Sequence, residues 1–167
     1  KVLAPGLRLG YVVAPRALYP KLLQAKQAAD LHTPGFNQRV VHEVIRDGFL
    51  DTHVPQIRAM YRRQRDALCE ALREHLPAGS EWQPPSGGMF CWIRLPAGCD
   101  AVALLPQAVE QGIAFVPGAA FYARQPDART VRLSFVTLTP DEIRTAVATL
   151  GALLRRHLTE DAPTPTP

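Results

Sequence analysis

The chain has 167 residues, 47% of them hydrophobic, and its 19 basic against 15 acidic groups leave a net charge of +4. That apolar content supports a packed core in one ordinary domain or two small pieces and excludes a wholly disordered chain. No apolar run reaches the roughly 18 to 20 residues of a membrane span, and three cysteines (Cys69, Cys91, Cys99) without metal-ligand spacing argue against a disulfide scaffold and for a reducing cytosol.

In chain order, "LRLGYVVAP" is apolar and β-branched up to Pro15 and reads as a buried strand. Leu18, Leu22, Leu23 and Ala25 to Ala29 then predict a helix from about Pro15 or Arg16, with Pro20 tolerated near its first turn. After a break at "TPGFN", the residues Val40, Val41, Val44 and Ile45 share a helical face, and Gly48 is a natural stop. From Thr52 a long helix carries Ile57, Met60, Tyr61, Gln64, Leu68, Ala71, Leu72 and Leu76 at three- and four-residue steps.

Beyond Pro77 short strands and helices alternate. "GMFCWIRLP" reads as a strand with Met89, Cys91 and Ile93 on one side and Phe90, Trp92 and Arg94 on the other. A helix from about Asp100 ends at Gly112, with Pro106 either starting its regular part or kinking it. "IAFVPG" is a brief strand, and "TVRLSFV" sets Val131, Leu133 and Phe135 against Arg132, Ser134 and Val136. The last helix opens on "TPDE", a Thr139 cap with Pro140 and Glu142, and buries Ile143, Ala146, Val147, Leu150, Leu153 and Leu154. The Pro/Thr-rich residues 160–167 read as a disordered tail.

Several residues could carry chemistry. Lys1 and Arg8 flank the turn formers Pro5 and Gly6, so the chain folds back and brings two cations closer. An amine beside an arginine fork suits an aldehyde cofactor that bears a phosphate, although a lysine there is more commonly a solvated end. Arg132 lies opposite the apolar face of its strand, where it covers a sheet edge, pairs with Asp141 or Glu142, or clamps a substrate carboxylate. The five histidines lack metal-ligand spacing, so no metal site is expected. Arg58, Arg62, Arg63 and Arg65 lie on a helical pattern without interleaved aromatics, which reads as a solvated face rather than a nucleic-acid patch.

Taken together, "KVLAPGLRLGYVVAP", "KQAADLHT", "PSGGMFCWIRLP", "AFVPGAAFY" and "VRLSF" resemble, in order and spacing, the fold-type I pyridoxal-phosphate-dependent aminotransferases, within them the 2-aminoadipate and aromatic branch. The resemblance covers residues 1 to about 158. It implies an α/β fold consisting of the C-terminal part of such an enzyme. Residues 1–50 would end the large cofactor-binding domain, 51–76 would form a connecting helix, and 77–159 a small α+β domain with a short, mainly antiparallel sheet.

The resemblance further implies that Lys1 is the Schiff-base lysine and the proton carrier at the substrate's Cα, that Arg8 holds the cofactor phosphate, and that Arg132 holds the substrate α-carboxylate. The implied cofactor is pyridoxal 5'-phosphate, with no metal. The implied activity is transfer of an amino group between an amino acid of 2-aminoadipate, aromatic or aliphatic type and a 2-oxo acid, in a cytoplasmic homodimer. The 167 residues alone are expected to be inactive. Where that branch carries Asn near position 129, this chain carries Arg129. The same segments also suit the effector domain of a winged-helix transcription regulator, which would bring nucleic acid in as a partner if such a domain precedes.

Overall fold

A computed structural model describes residues 2–160, the last without its side chain, and these fall into two compact units that divide between Ile57 and Arg58. In the first, Pro5–Leu7 form a single 3-10 turn, followed by α1 (Tyr19–Asp30), α2 (Gly35–Ile45) and the opening turns of α3 (Phe49–His75). Asn37 donates from Nδ2 to the Leu7 carbonyl at 3.1 Å, and the His53 ring donates from Nε2 to the Val2 carbonyl at 3.0 Å. These two bonds tie the extended N-terminal stretch to α2 and α3. Gly48 closes the α2 region at φ 77°, the left-handed conformation that glycine adopts without a Cβ penalty.

The expected buried strand over "LRLGYVVAP" is not formed. Residues 8–14 are irregular, and Tyr11, Val12 and Val13 are 92%, 79% and 90% exposed. A strand needs a ladder to satisfy its backbone, and among the described residues this unit contains no other strand to supply one. The following helix starts at Tyr19 rather than near Pro15, behind a turn in which the Pro15 carbonyl accepts from the Leu18 and Tyr19 amides.

α3 starts three residues before the expected Thr52 and carries Pro55 inside. At 27 residues it is about 40 Å long. Its buried positions, Gln64, Ala67, Leu68, Cys69, Ala71 and Leu72, all lie in its C-terminal half and belong to the second unit.

That second unit is a two-layer α+β arrangement. Strands β1 (Glu81–Trp82), β2 (Phe90–Arg94), β3 (Val116–Pro117) and β4 (Thr130–Ser134) form an antiparallel sheet in the order β1-β2-β4-β3. One face packs on α3, α4 (Ala101–Glu110) and α5 (Pro140–Glu160). The core is the one the alternation predicts: Cys91 and Ile93 from β2, Val131 and Leu133 from β4, and Ile143, Val147, Leu150, Leu153 and Leu154 from α5.

Local chemistry sets the helix ends. Asp100 caps α4 by accepting from the Val102 and Ala103 amides at 2.8 and 3.2 Å. Thr139 and Glu142 form the expected reciprocal box, the Thr139 amide donating to Glu142 at 2.7 Å and the Glu142 amide to Thr139 Oγ1 at 3.4 Å. α5 runs through Glu160, and residues 161–167 of the expected tail lie outside the described residues. No helix among the described residues is long and apolar enough to cross a membrane.

Candidate functional site

The face of the sheet turned away from the helices carries what the alternation left over. Phe90, Trp92 and Arg94 of β2 stand beside Arg132 and Ser134 of β4, with Trp92 directly opposite Arg132 in the register and Val116 of β3 on its other flank. Arg132 is half-buried, and among the described residues no carboxylate pairs with it. Asp141 is taken by Arg144 at 2.9 Å, and Glu142 is engaged in its cap, so neither fills the pairing role the sequence offered them.

Instead, the Arg132 guanidinium carbon lies 4.2 Å from the Phe90 ring centroid and 4.4 Å from that of Phe121. Its Nε is buried with no hydrogen-bond partner, which leaves an unmatched donor of a kind that native structures rarely tolerate without a reason. A cation held by aromatic faces, without a neutralising carboxylate, is a receptor for an anion. The Gly-containing stretch "VPGAAFY" supplies the second wall, because the 3-10 turn Gly118–Phe121 follows β3 and delivers Phe121 to the guanidinium. Gly118 is buried there, and a Cβ on it would come within 2.8 Å of the Trp92 ring.

Beside this cluster, Asp127 organises two arginines. It accepts from Arg94 Nε at 2.7 Å and from the Arg129 amide at 3.0 Å, with the Arg129 guanidinium 3.6 Å away. The Arg129 amide, then the Arg94 side chain, holds the Asp127 carboxyl below its ordinary range. Arg129, the departure from the family pattern, is therefore turned toward Asp127. Cys69, Cys91 and Cys99 are buried, and burial pushes the Cys91 thiol up to about 11.

Arg8 belongs to the other unit. It closes the Pro5–Leu7 turn at φ 54°, its amide bonding the Pro5 carbonyl at 3.2 Å. Its side chain is exposed and pairs with no carboxylate among the described residues, so it offers an uncommitted cation as a phosphate-bearing group would require. Lys1 lies outside the described residues. Among the described residues no cluster of His, Cys, Asp or Glu could hold a metal ion.

The sequence had pointed to Arg132 and to the outward face of β2 but had not joined them. Phe90, Phe121 and Trp92 are the neighbours of Arg132 that it missed. The signal for Phe90 and Trp92 lies in the alternation, since both occupy the side of β2 that faces away from the core, whereas nothing in the sequence marks Phe121.

Known proteins share this arrangement of segments. Residues 2–150 match the family model described as Aminotransferase class I and II. The chain is 43% identical to the 2-aminoadipate transaminase of Thermus thermophilus over 93% of its length and 39% of that protein's. It is 39% identical to aromatic-amino-acid aminotransferase 1 of Thermococcus litoralis over 95% of its length and 38% of that protein's. The crystal structure of an alpha-aminoadipate aminotransferase from Thermus thermophilus, complexed with N-(5'-phosphopyridoxyl)-L-leucine, superimposes with a TM-score of 0.83 at 42% identity, covering 96% of this chain and 41% of that one. The chain thus spans about two-fifths of the length of the curated relatives it matches.

Proposed function

This chain belongs to the class I and II aminotransferases, and on that premise we propose that it is the C-terminal part of a pyridoxal-phosphate-dependent enzyme that moves an amino group between an amino acid and a 2-oxo acid. The observation that carries the proposal is Arg132, a half-buried guanidinium held between aromatic rings and matched by no carboxylate among the described residues. The 2-aminoadipate and aromatic types of substrate are supported by the activities for which the relatives are named, and the cofactor by the phosphopyridoxyl adduct in the similar structure. On this view residues 1–50 end the large domain, 51–76 connect and 77–159 form the small domain. The division of the two compact units inside α3 supports a helix that passes from one domain to the next. A cytoplasmic homodimer completes the proposal, and three buried cysteines without metal-ligand spacing suit that compartment.

When bound, pyridoxal phosphate supplies an aldehyde and an electron-withdrawing ring that make a substrate Cα–H acidic. The protein's side of the chemistry falls to three residues. Arg8 pairs its uncommitted guanidinium with the phosphate. Arg132 takes the α-carboxylate and so fixes the orientation of the amino acid. Lys1 supplies the amine that holds the cofactor, and as a general base it takes the proton from Cα and returns it.

The test uses the full-length protein that contains this chain, loaded with pyridoxal phosphate. Wild type should show the absorbance band of protein-bound cofactor together with amino transfer to a 2-oxo acid, and Lys1→Ala should lose both. A band that survives in Lys1→Ala would sink the lysine assignment. Cofactor binding that changes affinity for DNA, without amino transfer, would make the protein a regulator instead.

A further inference from the structure

We infer that Phe90 and Phe121 are positioning residues for Arg132, clamping its guanidinium from both flanks of β4 so that only its Nη edge is offered to a substrate α-carboxylate; this rests on the carboxylate role proposed above. The two rings come from opposite sides. β2 and β3 flank β4 in the sheet, and Phe90 belongs to β2 whereas Phe121 sits on the turn that follows β3. Both centroids are close to the guanidinium carbon, at 4.2 and 4.4 Å.

The exposure of the fork's own atoms gives its direction. Nε is buried and unpartnered, whereas neither Nη is both buried and unpartnered, and neither bonds a protein acceptor among the described residues. A carboxylate therefore meets the fork end-on, with one oxygen on each Nη. Phe121 is backed in turn. Trp92 meets it edge-on at 5.8 Å and leans on Tyr122 at 6.3 Å, and the bare Gly118 leaves room for both Thr130 and Trp92 beside that turn.

Aromatic rings do what an acidic partner could not. A carboxylate placed beside Arg132 would also restrict its rotamers, but it would neutralise the fork and compete with the substrate for the same N–H groups. Ring faces restrain the cation through their quadrupoles and leave its full charge and both Nη groups for the ligand. Arginine is rich in rotamers, so a fork already held in place loses less freedom when substrate arrives.

The experiment compares variants of the full-length, cofactor-loaded protein, using the amino acid that wild type turns over best. Phe121→Leu keeps apolar volume but removes the ring, and it should raise KM about tenfold while kcat stays within about twofold and the thermal midpoint is unchanged. Phe121→Tyr keeps the ring, and its KM should stay within about twofold of wild type. Equal effects of Leu and Tyr, or a KM untouched by Leu, would overturn the clamp. If Phe121→Leu lowers the thermal midpoint, Phe90→Leu against Phe90→Tyr decides by the same criterion. Arg132→Ala separates the two levels: no rise in its KM refutes the carboxylate role itself, whereas a large rise beside an unaffected Phe121→Leu refutes only the clamp.

Discussion

Asp127 is the residue on which the rim of the sheet depends, because one carboxylate serves a backbone amide and two guanidinium groups at once. Its pKa is held low by the Arg129 amide and by Arg94, while partial burial works in the opposite direction. A carboxylate whose folded pKa is depressed contributes stability that is present above its unfolded pKa, near 4, and is lost as pH falls through the lower folded value. Asp127→Asn should therefore lower the urea midpoint at pH 7 and converge on wild type as pH drops below about 4. A deficit of constant size across that range would mean that the carboxylate's charge is irrelevant. The same residue shows how far the sequence could be read. "DAR" gave no hint of a shared acceptor, because Arg94 is 33 residues away and only the pairing of β2 with β4 brings it to Asp127. Arg132 and its Phe90 wall were readable from strand parity alone, but the Phe121 wall was not, since Phe121 arrives through a turn whose course depends on Gly118 packing against Thr130 and Trp92.

Elements with their own local chemistry were legible, and those that need a distant partner were not. The α5 start is the clearest case: Thr139, Pro140 and Glu142 specify an N-terminus before any tertiary contact forms. Two Thr139 groups reach the Glu142 carboxylate at 2.7 Å, so Thr139→Ala removes one of those bonds and the acceptor for the Glu142 amide together. It should cost about 1 kcal/mol and lower the thermal midpoint by roughly 2–6 °C, measured by circular dichroism at pH 7. Thr139→Ser, which keeps the hydroxyl, should recover most of that loss; no recovery would assign the effect to the methyl group's packing. The β2 and β4 strands were equally readable because alternation marks both faces. "LRLGYVVAP" failed for the converse reason. Its β-branched residues favour an extended chain, but propensity supplies no hydrogen-bonding neighbour, and residues 8–14 remain irregular.

At the scale of the molecule the two units differ in kind. Every residue of the core cluster comes from Leu68 onward, and none of residues 2–57 is buried. The first unit exposes Tyr11, Val12, Val13, Leu18, Tyr19, Leu22 and Leu23, more contiguous apolar chain than a surface ordinarily carries. Its helices α1 and α2, at 12 and 11 residues, are short enough to be marginal in water when no face is packed. The second unit closes a complete core between sheet and helices and gains the cooperativity that goes with it. Hydrogen exchange should therefore separate them within one chain. Amides of β2, β4 and α5 should be protected by factors of roughly a thousand or more, whereas those of α1 and α2 should exchange within minutes. In the full-length protein the proposed remainder of the large domain would cover these apolar residues, so α1 protection should rise while that of β4 stays unchanged. Protection of α1 equal to that of β4 in the 167-residue chain would contradict the division into one self-sufficient unit and one that awaits its partner. Unchanged α1 exchange in the full-length protein would mean that the remainder of the large domain does not cover the exposed valines and leucines of the first unit.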